Sequence, residues 1–158
     1  MSYDFNADEI FEMAEQMERN GESFYKKAAG SVQDDVHRDL LLQLADMEVE
    51  HEKTFKALRK DLNAAAKSAT VFDPDGEAVL YLRALVDTRV FFEKQIDISN
   101  MHEILKSAIE AEKDSIVFYL GMKEVVAQDK GKAKIDEIIK EEMGHIRLLS
   151  RELVAHKA

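Results

Sequence analysis

The sequence predicts an all-α protein, a bundle of four long helices with one long crossover. Three observations lead there. Helix breakers are scarce, with one proline and six glycines in 158 residues. Apolar residues recur at the three-and-four spacing of amphipathic helices. The breaks between these periodic segments are short, except for one in the middle of the chain.

The first helix is expected over residues 7–29, where "AGSVQDD" breaks the pattern. The second is expected over 32–66, with Leu40, Leu41, Leu44, Met47, Phe55 and Leu58 at helical spacing. A long connection, 67–100, follows. Within it "DPDGE" offers Asp73 as an N-cap and Pro74 as a first helical residue, opening a short helix over 77–90. Asn100 and Glu103 then stand at capping-box spacing. The third helix is expected over 101–127, "QDKGK" as a turn, and the fourth over 133–155. The short loops make 7–66 and 101–156 two antiparallel hairpins in a single domain spanning 1–158. One long connection between helices 2 and 3 is the ferritin-like variant of the four-helix bundle rather than the up-and-down one.

Composition narrows the chemistry. A hydrophobic content of 46% is ordinary for a globular chain, and at this length folding buries roughly 70% of the unfolded surface. With no cysteine, disulfides, thiolate zinc sites, iron–sulfur clusters and thiol catalysis are excluded. The acidic start "MSYDFNADEI" lacks the basic and apolar regions of a signal peptide. No apolar run approaches the roughly 18 residues of a membrane helix. The expectation is a soluble, cytoplasmic protein without a membrane partner. A net charge of −10 argues against nucleic acid, which needs a surplus of Lys and Arg on some face. Acidity by itself means little more than solubility, unless some carboxylates point inward.

An internal repeat singles those out. "ERNGESFY", Glu18 to Tyr25, and "EKDSIVFY", Glu112 to Tyr119, share a Glu, a small residue three on, and Phe-Tyr. Their offset is 94 residues, and the same shift carries Glu48 and His51 onto Glu142 and His145. It also carries Glu9 to Glu103, Ile10 to Ile104, Ala14 to Ala108 and Val32 to Val126. One helical hairpin is used twice. A lone Glu-x-x-His is a weak signal. Two of them, each thirty residues after a Glu that opens the same pattern, are a strong one.

Duplication explains the repeat, but not why its polar residues lie on the apolar stripe. Positions i, i+3, i+4 and i+7 share a helix face. Glu48 and His51 therefore align with Leu44, Phe55 and Leu58, and Glu142 and His145 with Ile138, Leu149 and Leu153. Glu18 aligns with Ala14, Gly21 and Tyr25, and Glu112 with Ala108 and Tyr119. Four inward carboxylates would repel one another and take up protons, and no Lys or Arg stands on those faces. Two metal ions would satisfy them. One Glu from each of two helices and Glu-x-x-His from each of the other two is the arrangement of di-iron and di-manganese carboxylate bundles. Carboxylates with imidazole suit iron, with manganese or zinc as substitutes. Glu48 and Glu142 are the bridging candidates, and Glu18 and Glu112 the terminal ones. No catalytic residue is expected beyond these ligands. Tyr25 and Tyr119, two turns on from Glu18 and Glu112, are candidate hydrogen-bond donors to ligating carboxylates. His37, His102 and His156 lack the Glu partner and are expected at the surface. Glu22 and Glu52 lie four residues after proposed ligands, but the repeat places Ile116 and Ile146 at the matching positions, so neither joins the set.

The segments holding Glu18, Glu48-x-x-His51, Glu112 and Glu142-x-x-His145, with Phe-Tyr after each first Glu, resemble the rubrerythrin branch of the ferritin-like superfamily. The resemblance covers nearly the whole chain. It implies a carboxylate-bridged pair of iron ions, held by those six residues, that reacts with peroxide or dioxygen. It also implies a homodimer. Two departures stand out. Rubrerythrins carry a cysteine-ligated rubredoxin module, and this chain has no Cys, so electrons would come from an external donor protein or from Fe²⁺ itself. Rubrerythrins also place an extra Glu three residues after the first ligand of helix 3, where this chain has Ser115. Three readings follow: a di-iron oxidoreductase in oxidative-stress defence, a ferroxidase serving iron storage, and a non-enzymatic metal-binding bundle.

Overall fold

The computed structural model describes residues 7–62, 80–82, 84, 98–126 and 129–156. Four long helices make up nearly all of this: α1 (Ala7–Ser31), α2 (Asp35–Lys60), α3 (Met101–Val125) and α4 (Asp129–Ala155). The described residues contain no strand. Leu80–Leu82 and Ala84 are helical and belong to the crossover; Asp73, Pro74 and the rest of the expected 77–90 helix lie outside the described residues.

The helix ends follow local chemistry, and three differ from expectation by three residues or more. Helix α2 starts at Asp35 rather than residue 32, because Asp34 sits in extended conformation and its carboxylate accepts the amide of Val36. That capping satisfies a first-turn donor which otherwise has no partner. Helix α2 stops at Lys60 rather than 66, with Asp61 as its C-cap. Asn100 caps α3 by accepting the amides of His102 and Glu103. The fourth helix begins four residues before the expected Ala133, so most of "QDKGK" is helix rather than turn. Gly131 contributes there, since a Cβ on it would meet the Val126 side chain at 3.1 Å.

Helix α1 packs along α2 and α3 along α4, and the hairpins meet along α1 with α3 and α2 with α4. The interior is divided in two. One apolar cluster gathers Phe11, Met17, Phe55, Phe118, Met122 and Ile135; the other gathers Ala28, Leu41, Leu44, Ile104, Leu105 and Leu149. Tyr119 belongs to the first and Tyr25 to the second. The midsection between them is polar.

Candidate metal centre

Glu18 on α1, Glu48 and His51 on α2, Glu112 on α3, and Glu142 and His145 on α4 are all 5% exposed or less. The structure brings all six together in two overlapping groups. Glu18, Glu48, His51 and Glu142 form one; Glu48, Glu112, Glu142 and His145 form the other. Within each, ligand atoms lie within 4.8 Å of one another. Glu48 and Glu142 are common to both groups, while Glu18 and Glu112 each belong to one.

The imidazoles turn their Nδ1 atoms to the middle. His51 Nδ1 is 3.1 Å from Glu142 and 3.5 Å from Glu18. His145 Nδ1 is 2.9 Å from Glu142, 3.3 Å from Glu112 and 3.4 Å from Glu48. The rings stack at 5.6 Å between centroids. Nine buried side-chain atoms lack a hydrogen-bond partner among the described residues, and seven of them belong to Glu18, Glu48, His51, Glu142 and His145. Buried polar atoms are ordinarily paired, so orphaned acceptors concentrated around two points fit a pair of cations. The donor set, carboxylate oxygens with one imidazole per position, fits iron or manganese.

Each tyrosine reaches across the seam. Tyr25 on α1 donates to Glu112 on α3 at 2.5 Å, and Tyr119 on α3 donates to Glu18 on α1. Each is on the face expected of it, and its acceptor is on the opposite hairpin. Gly21 makes room on the α1 side: a Cβ there would come within 3.0 Å of the Glu48 carboxylate. Its repeat counterpart Ser115 is buried and donates to the Ala111 carbonyl.

The electrostatics of this cluster are strained. Burial, then the charges of Glu142, Glu18 and Glu112, push the Glu48 carboxyl well above its usual range. Burial and Glu142 do the same to Glu112. Burial opposes ionisation of Glu142 as well, but the two imidazoles outweigh it and hold this carboxyl well below that range. For the histidines burial acts downward, and the neighbouring carboxylates overcome it, raising His51 to about 11 and His145 to about 9. Protons thus stand among these carboxylates as positive charge, and a cation bound there would have to release them.

The other polar candidates are engaged elsewhere. Glu22 pairs with Lys26. Glu52 pairs with Arg19 at 2.8 Å and Lys56 at 2.7 Å. His37, His102 and His156 are half-buried rather than on the surface. His37 contacts Asp34 and Glu152 and packs edge-on against His156, which draws both rings inward. One neighbour of the centre was not legible in the sequence. Glu141 places a carboxylate oxygen 2.6 Å from His51 Nε2. The only sequence signal for it is the "EE" doublet at 141–142, where the repeat has Met47 before Glu48. Beside this pair a cavity of about 370 Å³ opens between α2 and α4, lined by His51, Thr54, Leu58, Glu137, Ile138 and Glu141.

No protein-family model matches the chain, and no curated protein matches it in sequence. A solved structure from Thermotoga maritima, described as a ferritin-like diiron-carboxylate protein, matches with a TM-score of 0.70. It covers 97% of each chain at 23% identity. No described helix is long and apolar enough to cross a membrane. The crossover topology, the polar layer between two apolar cores and this likeness agree, and the chain has the ferritin-like fold.

Proposed function

We propose that the protein is a di-iron oxidoreductase of rubrerythrin-like plan, acting on peroxide or dioxygen. One observation carries the reading: two buried ligand groups share Glu48 and Glu142. Four carboxylates balance two divalent ions, which makes the burial of all six groups tolerable. The description of the Thermotoga structure as a diiron-carboxylate protein supports it. When bound, a pair of iron ions supplies two electrons and Lewis acidity at one place.

The protein's own residues do the rest. Glu18, His51, Glu112 and His145 would each hold one ion, and Glu48 and Glu142 would span both. Tyr25 and Tyr119 hold the terminal carboxylates in place and keep their own protons, because burial and the adjacent charges push both phenols well above their usual value. The apolar clusters above and below exclude water. The cavity beside His51 is large enough for a small oxidant. Ser115 gives no carboxylate where rubrerythrins have one, and its hydroxyl is committed to the backbone. A redox-linked ligand exchange at that position therefore has no group to perform it. With no cysteine in the chain, electrons come from a separate donor protein or from Fe²⁺ itself. The proposal includes a cytoplasmic homodimer.

The test is metal content per chain on untagged protein, with the visible spectrum followed as Fe²⁺-loaded protein meets H₂O₂ and then O₂. Two irons per chain and a near-ultraviolet ferric band that grows faster with peroxide are expected. Faster growth with O₂ would move the assignment to ferroxidase chemistry, and native mass would then be checked for a storage shell. Absence of bound metal would leave a non-enzymatic bundle.

A further inference from the structure

The two histidines of the centre are equivalent in the repeat and unequal in their surroundings. His51 Nε2 lies 2.6 Å from the Glu141 carboxylate. His145 Nε2 is buried and has no hydrogen-bond partner among the described residues. The repeat explains the difference. Shifting Glu141 back by 94 residues lands on Met47, which offers a thioether where a carboxylate would be needed.

We propose that Glu141 is a positioning residue for His51 and makes the two metal positions unequal. The inference rests on the di-metal reading above. An N–H at Nε2 donated to Glu141 leaves Nδ1, the atom that faces Glu18 and Glu142, as the one that gives up its proton to an ion. The ring angle is thus set before any ion arrives, the Nε2 proton stays with Glu141 when the ion displaces the one on Nδ1, and the imidazole is made a stronger donor. Among the described residues nothing performs that service for His145, whose ring has no such anchor when it gives up a proton on binding. The Glu141 side chain is 53% exposed at the cavity wall, against 3% for that of His51. It ties a buried ligand to a group in contact with solvent, on the side where the cavity opens. The position served by His51 fills first and is retained; the position served by His145 fills second and exchanges.

Titration of the metal-free protein with Co²⁺ alone, read by visible absorption and calorimetry, tests this. The unmodified chain is expected to bind two Co²⁺ in two resolved steps. Glu141→Ala weakens the tighter step by roughly ten- to a hundred-fold and leaves the weaker one in place. Glu141→Gln, which retains an acceptor without charge, falls between. Met47→Glu, which supplies the missing counterpart, tightens the weaker step. Circular dichroism and melting of each metal-free variant confirm that the bundle is intact, as expected for changes at two exposed or part-exposed positions. If Glu141→Ala leaves both steps unchanged, or weakens both alike, Glu141 does not position His51 and the proposal is wrong while the di-metal reading stands. If the unmodified chain binds no Co²⁺, both fall.

Discussion

The two hairpins carry the same buried Glu and Glu-x-x-His residues in different settings. In the first, α1 and α2 are tied by charge. Arg59 pairs with Asp8 at 2.7 Å and with Glu15 at 2.9 Å, and Arg19 pairs with Glu52 at 2.8 Å. Glu15 and Glu52 are both buried. In the second hairpin the repeat puts Leu153 for Arg59, Ile109 for Glu15 and Ile146 for Glu52. Those residues are apolar, and they lie in or against the core. The six central positions show no such exchange, and each of their imidazoles and carboxylates faces a shared centre. The flanking positions need only hold two helices together, which ion pairs or hydrocarbon can do equally well.

The comparison can be broken first at the centre. Glu48→Ala removes a group common to both ligand sets and is expected to eliminate binding of both ions, measured as metal per chain. The metal-free bundle still folds, since a buried carboxyl that resists ionisation has been removed. Unchanged metal content would show that the ligand set is misassigned. The next effect is in the flank. Arg59→Leu strands the buried Glu15 carboxylate and should lower stability by about 1–3 kcal/mol in denaturant unfolding. Adding Glu15→Ile copies the second hairpin and should recover most of the loss. If the double variant is no better than the single, the hairpins are not interchangeable in this respect.

The smallest effect is a pH dependence of the metal-free protein. His51 and His145 have folded-state values raised to about 11 and about 9. Their contribution to stability is complete below the unfolded value near 6.5 and is lost as pH rises through 9 and then 11. Glu48 and Glu112, also raised, act in the same direction, since their ionisation is easier in the unfolded chain. Melting temperature should therefore fall from neutral to alkaline pH without metal. It should hold when metal replaces the protons. A metal-free melting temperature that rises over that range would contradict the electrostatics described.

Much of this was legible in the sequence. The repeat exposed the six residues that the structure brings together, because a helix face is a fixed geometric consequence of spacing, and six polar residues on apolar faces have few explanations. The helix ends were less legible. Val32 is periodic with the second helix and is buried, yet Asp34 takes the cap and leaves it outside. Glu141 was not legible at all. Its role depends on which residue of α2 lies across from it, and no periodicity within α4 reports that. Met47 shows the same limit from the other side. Its spacing placed it with the core leucines, whereas it is 37% exposed.

The tyrosines that reach across the seam have a further consequence. Neither ligand group is complete within one hairpin: the first takes Glu142 from the second hairpin, and the second takes Glu48 from the first. On the function proposed here, metal affinity would therefore also be an affinity of one half of the chain for the other. The connection between them supplies effective concentration, and its Leu82 also joins the first apolar cluster. Severed there, the two halves would behave as a receptor and its ligand, with the metal as the clasp and the two phenols as the latch.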